Sequence, residues 1–486
     1  MSEIRSNIVS MHKLALRFDW YQTCLSGPLV DLATHYANKY ITTLPSKGKG
    51  VRPNKRNEQI RLLVIHLLSS FYQSIHSTPS LKGWISVPSG NSEYGLDERK
   101  HPSRIHYPSK LVSALMNWLE TNHYISVIKG TESAKRTTRV KPAGSLLNDL
   151  NTIEYQWLTL KPLSAESSTI VRDRVYADDG SQTRKKIDIE LKRTGRIDHQ
   201  NLKIHAVNKC YKRHCFCLAL DDHQLEEELL SGIKDKKQTI NFQRDQITRI
   251  YSIGRTDRGG RLYRPWWQYI RSHLREKILI DGYPTSEIDF SGVTFRLLYA
   301  KAKIDYPADI DVYNLGFDDW KGSEDPRRKI IKKFVNAVFN DEEEKYYPGK
   351  DALKLLGCSV KELREKLYKT HEAAGLRDNI VSGWGLESHF RDSQIALAIL
   401  HFFACQDIPV LSVHDSFIID RRHTETLNQV MQRVFKIFTD GGIVATDLEE
   451  SCLDTVVKPW DYSEDRRNSK MGRFIQTWRK AAMESA

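Results

Sequence analysis

The chain has 486 residues, and 74 Lys and Arg against 61 Asp and Glu give a formal net charge of +13 with His neutral. A hydrophobic content of 40% with 10% aromatics is enough to build real cores, which excludes the disordered and small-scaffold classes, and the length allows about two to four domains. The basic excess favours a polyanionic partner, most simply nucleic acid. The longest apolar run, Ile395 to Ala404, is about half a bilayer span and is broken by His401. Glu3 and Arg5 precede no long apolar stretch, so a soluble, cytoplasmic protein with no membrane partner is expected. Seven Cys, an odd number scattered along the chain, suit a reducing compartment rather than a disulfide framework.

No internal repeat or low-complexity tract interrupts the chain. Residues 1–60 read as a helical segment that includes Leu29 to Tyr40, followed by a basic Gly/Pro-containing loop from Leu44 to Glu58. In residues 61–150, Ser109 to Leu119 places Leu111, Leu115, Trp118 and Leu119 on one helical face. A strand from Tyr124 to Ile128, a basic turn from Lys129 to Thr138 and a returning strand from Arg139 to Lys141 come next. That order resembles a winged helix, whose helix enters a groove and whose wing, here Lys135, Arg136 and Arg139, holds phosphates. Winged helices also serve as pure protein contacts, and the sequence leaves both uses open.

Residues 151–245 read as a connector or thumb-like region, with 183–196 and 223–248 helical or linking. Within it, Cys210-x4-Cys215-x-Cys217 with His205 and His214 offers soft ligands but matches no standard zinc spacing. Cys217 runs into Leu218-Ala-Leu220, which favours a buried strand.

From Arg249 to Asp420 the chain is dense in motifs. SEIDFSGVTFRLLYA (286–300) is a strand that delivers Asp289 to a strand-to-helix junction, and PVLSVHDSFIID (409–420) is a pair of buried strands with Asp415 at the tip of their turn. Two carboxylates on adjacent strand ends are what a two-metal phosphoryl-transfer site needs, although a single Asp in a turn is usually only a cap. Between them, Asp325 and Pro326 suit the cap and first position of a helix. Along that helix Arg328, Lys332, Asn336 and Asn340 recur at a spacing of four, opposite an apolar face of Ile330, Ile331, Phe334, Val335 and Val338. Such a stripe suits a triphosphate grip followed by a base pocket, although a charged stripe taken alone is more often a solvated face. Arg264-Pro-Trp-Trp-Gln268, then Arg271, Arg275 and Lys277, interleave cations with aromatics as a groove that tracks phosphates and stacks bases would, and a packed pair of Trp266 and Trp267 with a solvated rim is the open alternative.

These residues carry a resemblance. Asp289-Phe-Ser-Gly-Val-Thr-Phe-Arg296 is similar to motif A of the family A DNA polymerases, Arg328-x-x-x-Lys332 to motif B and Val413-His-Asp-Ser-Phe417 to motif C, in the right order over a little more than a third of the chain. The superfamily includes the single-subunit RNA polymerases of phage and mitochondrial type. The resemblance implies an α+β right-hand polymerase over 246–465, with a palm, fingers at about 300–385, thumb-like helices, an α-rich N-terminal half and a basic C-terminal helix at 466–486.

It further implies that Asp289 and Asp415 hold two Mg²⁺ ions, or Mn²⁺, for template-directed nucleotidyl transfer. Nucleoside triphosphates, a template and a primer or nascent strand would be the partners. Lys332 and His414 would join the metal ligands in catalysis. Arg328, Asn336, Asn340, Thr294 and Arg296 would meet the nucleotide, and Arg258, Arg261, Tyr263, Gln268 and Gln394 the nucleic acid. Gln394 falls in Asp392-Ser-Gln-Ile395, read as the opening of the helix that leads into motif C, and an ordinary surface amide is the open alternative for it.

The chain departs from the family pattern where an aromatic and Gly close motif B, because Asn340 and Asp341 stand there and that sugar-checking role is not carried over. Thr294 replaces the Glu by which DNA polymerases exclude a ribose. Asp257-Arg-Gly-Gly-Arg-Leu-Tyr263 resembles a template-contacting segment of the RNA polymerases, whereas Arg296 follows the DNA polymerases. The leading expectation is an RNA polymerase-like or primase-like enzyme. A compact DNA polymerase of a mobile element is the alternative, and from another class a non-catalytic replication initiator or regulator. Template type, primer requirement and oligomeric state are open.

Overall fold

The computed structural model describes residues 15–17, 27–45, 53–76, 81–87, 107–130, 138–153, 168–176, 182–234, 242, 244–339, 348–381 and 383–453. Lys135, Arg136, Asn340 and the C-terminal segment 466–486 lie outside them. The fold is mixed α+β, with three sheets among the described residues. No helix there is long and apolar enough to cross a membrane.

The N-terminal body contains β1 (Leu16–Arg17), α1 (Pro28–Thr42), α2 (Pro53–His76), β2 (Ile85–Val87), α3 (Ser109–Thr121), β3 (Ile125–Ile128), β4 (Thr138–Pro142) and α4 (Gly144–Thr152). In α1 a stripe of Leu29, Ala33, Tyr36, Ala37 and Tyr40 at helical spacing is buried. The sheet order is β1-β2-β4-β3, and the expected helix, strand and returning strand are present as α3, β3 and β4. The break expected at 60/61 falls inside α2, and one apolar cluster draws side chains from Leu29 through to Ile153. Those residues therefore share a core rather than forming two pieces.

A second sheet has the order β6-β5-β8-β9, from β5 (Thr169–Tyr176), β6 (Gln182–Ile189), β8 (Thr248–Ser252) and β9 (Arg255–Tyr263). The first half of the segment 183–196 is thus strand, against the helical or linking expectation, whereas 190–194 link it to the helix that starts at Gly195. Ile187, Ile189 and Leu191 alternate at period two, and Asp188, 7% exposed, accepts from Arg172 Nε at 2.8 Å.

The third sheet holds the motif residues. It combines β7 (Phe216–Leu218), β10 (Ile278–Ile280), β11 (Tyr283–Phe290), β12 (Val410–Val413), β13 (Ser416–Asp420) and β14 (Thr446–Glu450) in the order β12-β13-β11-β10-β7, with β14 also on β11. All its pairings are antiparallel. Because β7 is its edge strand, this unit begins well before the expected boundary at 246. Its core reaches back to Ile204 in α5 (Gly195–Tyr211), which is followed by α6 (Asp222–Lys234).

The short α7 (Ser272–Arg275) precedes β10, and α8 (Val293–Lys301) follows β11. Four helices come next, α9 (Arg328–Phe339), α10 (Lys350–Leu356), α11 (Val360–Thr370) and α12 (Leu376–Val381). Then α13 (Trp384–Ala404) and, after the hairpin, α14 (Thr424–Phe438) complete the unit. The helix before motif C starts at Trp384, behind Gly383 at φ 84°, so Asp392 lies mid-helix rather than opening it. α13 is apolar on most faces because it touches α5, α8, α14, β9 and β12 at once. Trp266 and Trp267, 1% and 0% exposed, meet edge-to-face inside this core, so they are packing residues and not a base-stacking platform.

His371 ties the loop before α9 to α8. It is fully buried, Nε2 meets the Val312 carbonyl at 3.1 Å, Tyr299 OH lies 2.9 Å from Nδ1, and Phe295 stacks on the ring at 4.2 Å. Burial pushes its pKa down from 6.5 to about 4. The unfolded chain takes up this proton first as pH falls, so stability is present above 6.5 and declines towards 4. This group should remove about 2 kcal/mol between pH 7 and pH 5, measured as the narrowing of the unfolding free-energy gap between wild type and His371→Gln. A gap that does not change with pH would contradict the assignment.

Candidate active site

β11 and β13 pair with Asp289 opposite Ser416, and the Phe290 N–H reaches the Asp415 carbonyl at 3.3 Å. That register brings Asp415, the residue before Ser416, to the end of β11 that carries Asp289. The β12–β13 loop has two residues, and His414 adopts the left-handed φ of 64° that tight hairpins between twisted strands require. On the other side of β11, Asp289 faces Asp447 of β14. Gly292, at φ 64°, caps α8 where an added Cβ would come within 2.4 Å of Val312 Cγ2, so the junction after Asp289 is closed tightly on the 312 loop.

The electrostatics here are unusual. Burial first, and then Asp415, push the Asp289 carboxyl up to about 8, with Glu287 and Asp447 adding to the rise and Lys332 opposing it. Asp289 Oδ1 is buried without a partner among the described residues. Glu287, two residues earlier on the same face, is already neutralised by Arg275 Nε at 2.8 Å and accepts from the Ser416 hydroxyl. Hard oxygen donors that repel one another and leave one lone-pair site empty fit a divalent cation of the Mg²⁺ or Mn²⁺ type.

Facing them is α9, whose first turn is organised by Asp325. Its carboxylate accepts from the Arg327 backbone N–H at 2.9 Å and from the Arg327 guanidinium, so the helix begins at Arg328, two residues after the expected Pro326. Arg328 Nε donates to Asp311 at 2.8 Å, with its guanidinium 5.1 Å from the centre of the Tyr313 ring. One turn on, Lys332 is exposed and has no ion pair among the described residues, and Asn336 lies exposed on the same face. Tyr313 is 6% exposed and feels both Asp289 and Asp415. Neither Tyr313 nor Asp311 had a signal in the sequence, since the loop around them lacks a periodic pattern.

A second layer lies behind the hairpin tip. Arg261 Nε donates at 2.9 Å to Asp392, which is 2% exposed and whose Oδ1 has no partner among the described residues. Burial and then Asp415 push the Asp392 carboxyl up to about 6 against the opposing charge of Arg261. His414, edge-to-face with Tyr263 at 5.4 Å, is pushed down to about 4 by burial and Arg261, and His389 to about 3 by burial, Arg261 and His414. Arg258 lies at the edge of this layer, 4.0 Å from Glu387. The Arg261–Asp392 pair joins residues 131 positions apart, which no local pattern reveals.

Three expected site residues are occupied elsewhere. Arg296 gives its guanidinium to the carbonyls of Tyr306, Pro307, Ala308 and Ile310 at 2.6–3.0 Å, so it pins a loop instead of presenting charge to a nucleotide. Gln268 Nε2 donates to the carbonyls of Leu262 and Ser412. Gln394 accepts from Gln200, which accepts from Tyr251 OH, so it faces α5. In each case a polar side chain near buried backbone met internal partners that are far away in sequence. Thr294 is half-buried in the first turn of α8, and Arg139 lies on β4 of the N-terminal body, remote in sequence from the carboxylates.

No protein-family model and no curated protein match this chain. Among solved structures, the chain is similar to the POL domain of Pol1 from M. smegmatis in complex with DNA primer-template and dNTP, at 12% identity and a TM-score of 0.29, over 90% of this chain and 79% of that one. Likeness this slight assigns neither fold nor function.

Two carboxylates held together for a cation are a cost to the fold when the cation is absent. Asp289→Asn should therefore unfold in the presence of a chelator at a temperature equal to or above that of wild type. A midpoint lower by several degrees would make Asp289 a structural partner instead.

Proposed function

We propose that the chain is a template-directed nucleotidyltransferase of the single-subunit RNA polymerase or primase kind, with the third sheet as palm and the helices around α9 as fingers. The observation that carries this reading is the register that pairs Asp289 with Ser416, next to Asp415, with Asp415 and Lys332 both acting electrostatically on Asp289. In this reading Asp289 and Asp415 hold two Mg²⁺ ions, or Mn²⁺, which when bound activate the attacking hydroxyl and neutralise the leaving pyrophosphate. Lys332 and Arg328, on one face of α9, grip the triphosphate, and Asn336 and Asn340 follow towards the base. Arg258, Arg261 and Tyr263 lie along the nucleic acid. His414, neutral at physiological pH, shapes the hairpin tip at the primer terminus. Lys135, Arg136 and Arg139 hold backbone phosphates at the N-terminal body. A non-catalytic scaffold has no physical need for two mutually repelling carboxylates at one place.

Primer extension with ribonucleotides and deoxyribonucleotides offered separately, on DNA and RNA templates, tests the reading. Asp289→Asn and Asp415→Asn should each lower incorporation by at least about 10²–10³-fold, the range for loss of one preorganised electrostatic group, while leaving circular dichroism unchanged. Lys332→Ala should slow turnover about 10–100-fold, matching about 1.5–3 kcal/mol for a charge-assisted contact, with template affinity retained. A loss of template affinity at unchanged turnover would make α9 a backbone grip.

The sugar preference turns on Thr294, which is shorter than Glu and offers a hydroxyl. In this reading Thr294 leaves room for a 2′-hydroxyl where Glu would crowd it, so ribonucleotides should be accepted and Thr294→Glu should shift preference towards deoxyribonucleotides. Competition kinetics giving about 10⁴-fold or more discrimination against ribonucleotides would instead favour a DNA polymerase.

A further inference from the structure

The opposite end of the third sheet gathers a different set of donors. Cys210 lies in the last turn of α5, His214 follows four residues later, and Asp407 stands in the loop between α13 and β12. One ligand atom from each lies within 4.8 Å of the others. We propose that Cys210, His214 and Asp407 form a binding site for a divalent transition-metal ion of the zinc class, separate from the carboxylates at the hairpin tip. Asp407 precedes β12 whereas Asp415 follows it, so the two sites sit at opposite ends of that strand.

Two observations beyond the clustering support a ligand here. The first is the outer support of the imidazole. His214 Nδ1 lies 2.6 Å from Asp281 Oδ2, and Asp281 Oδ1 accepts the Cys215 N–H at 2.8 Å, so both oxygens of that carboxylate are fixed. A carboxylate on one ring nitrogen is how proteins orient a metal-ligating His, since it holds the proton on Nδ1 and leaves the Nε2 lone pair for the ion. The second is that Nε2 itself is buried without a hydrogen bond, 3.4 Å from Asp407 Oδ1.

The donor types select the ion. One thiolate, one neutral imidazole and one carboxylate suit Zn²⁺ and its neighbours, whereas Mg²⁺ and Ca²⁺ prefer all-oxygen sites. Arg213 donates to Asp407 Oδ1 at 2.8 Å, leaving Oδ2 without a bond among the described residues. Cys210 is fully buried, His214 is 15% exposed and Asp407 lies at the surface, so a fourth position opens to water. The ion would tie the end of α5 to the loop leading into β12, a junction also held by Tyr211 OH on the Val410 carbonyl at 2.5 Å. Without a metal the same groups form an imidazolium bridged between Asp281 and Asp407, and that is the competing account.

Cobalt is the probe, because a thiolate–Co²⁺ charge-transfer band in the near ultraviolet reports sulfur ligation that oxygen-only sites cannot produce. Full-length protein freed of metal by chelator and kept in excess Mg²⁺ should take up one equivalent of Co²⁺ with that band and tetrahedral visible absorption, both displaced by Zn²⁺. Cys210→Ser should abolish the band. Asp281→Asn should weaken binding about 10–100-fold, as loss of an outer carboxylate does. Asp407→Asn, at an exposed position, should weaken binding without unfolding the protein, which guards against a misfolded Cys210 variant. Asp415→Asn should leave the band unchanged, which keeps this result independent of the polymerase reading. A band that survives in Cys210→Ser, or no sulfur-linked uptake together with a thermal midpoint indifferent to Zn²⁺, would overturn the site in favour of the imidazolium bridge.

Discussion

The antiparallel register of β11 against β13 is the constraint on which the site depends. Asp289 opposite Ser416 puts Asp415 one residue away across the strand pair, and the two-residue hairpin allows no slack. A slip of one residue would turn Asp289 to the other face of the sheet and bury it against the core helices. The register is held by the apolar set on that face, Ile288 and Phe290 against Phe417 and Ile419, with Phe290 edge-to-face on Phe417 at 6.0 Å. Hydrophobic packing on one side of the sheet thus supplies the energy that keeps two repelling carboxylates together on the other.

Around that pair the chain uses charge economically. Lys332 is the cation that opposes the rise in the Asp289 pKa, while nearby basic side chains are tethered: Arg275 to Glu287, Arg328 to Asp311, Arg261 to Asp392. Arg296 and Asp325 fix the loop and the first turn that present α9. The carboxylates are therefore framed in advance by tethered arginines, with the exposed Lys332 of α9 opposing the rise at Asp289.

Much of this was readable from short-range patterns. Short apolar runs marked β11, β12 and β13, with Asp289 near a strand end and Asp415 in the turn, and the spacing of four marked the Arg328–Lys332–Asn336 face of α9. The errors came where local pattern and tertiary context compete. Basic and aromatic residues from Arg264 to Gln268 resembled a groove because composition does not reveal burial, yet both Trp side chains are core. The lysines of 183–196 obscured an alternation that makes a strand. Arg296, Gln268 and Gln394 were assigned outward because their carbonyl and amide partners could not be seen in one dimension, and Asp392 was passed over for the same reason. Partners separated by more than a hundred residues are set by topology, which single-sequence periodicity does not encode.

The proposed role of Asp289 and Asp415 as one ion-binding unit is tested most directly by Mn²⁺ binding followed by electron paramagnetic resonance, with a non-hydrolysable nucleoside triphosphate present. Asp289→Asn and Asp415→Asn should each remove the same tightly bound Mn²⁺ that wild type retains. Undiminished Mn²⁺ binding in either variant would show that the two carboxylates do not share an ion.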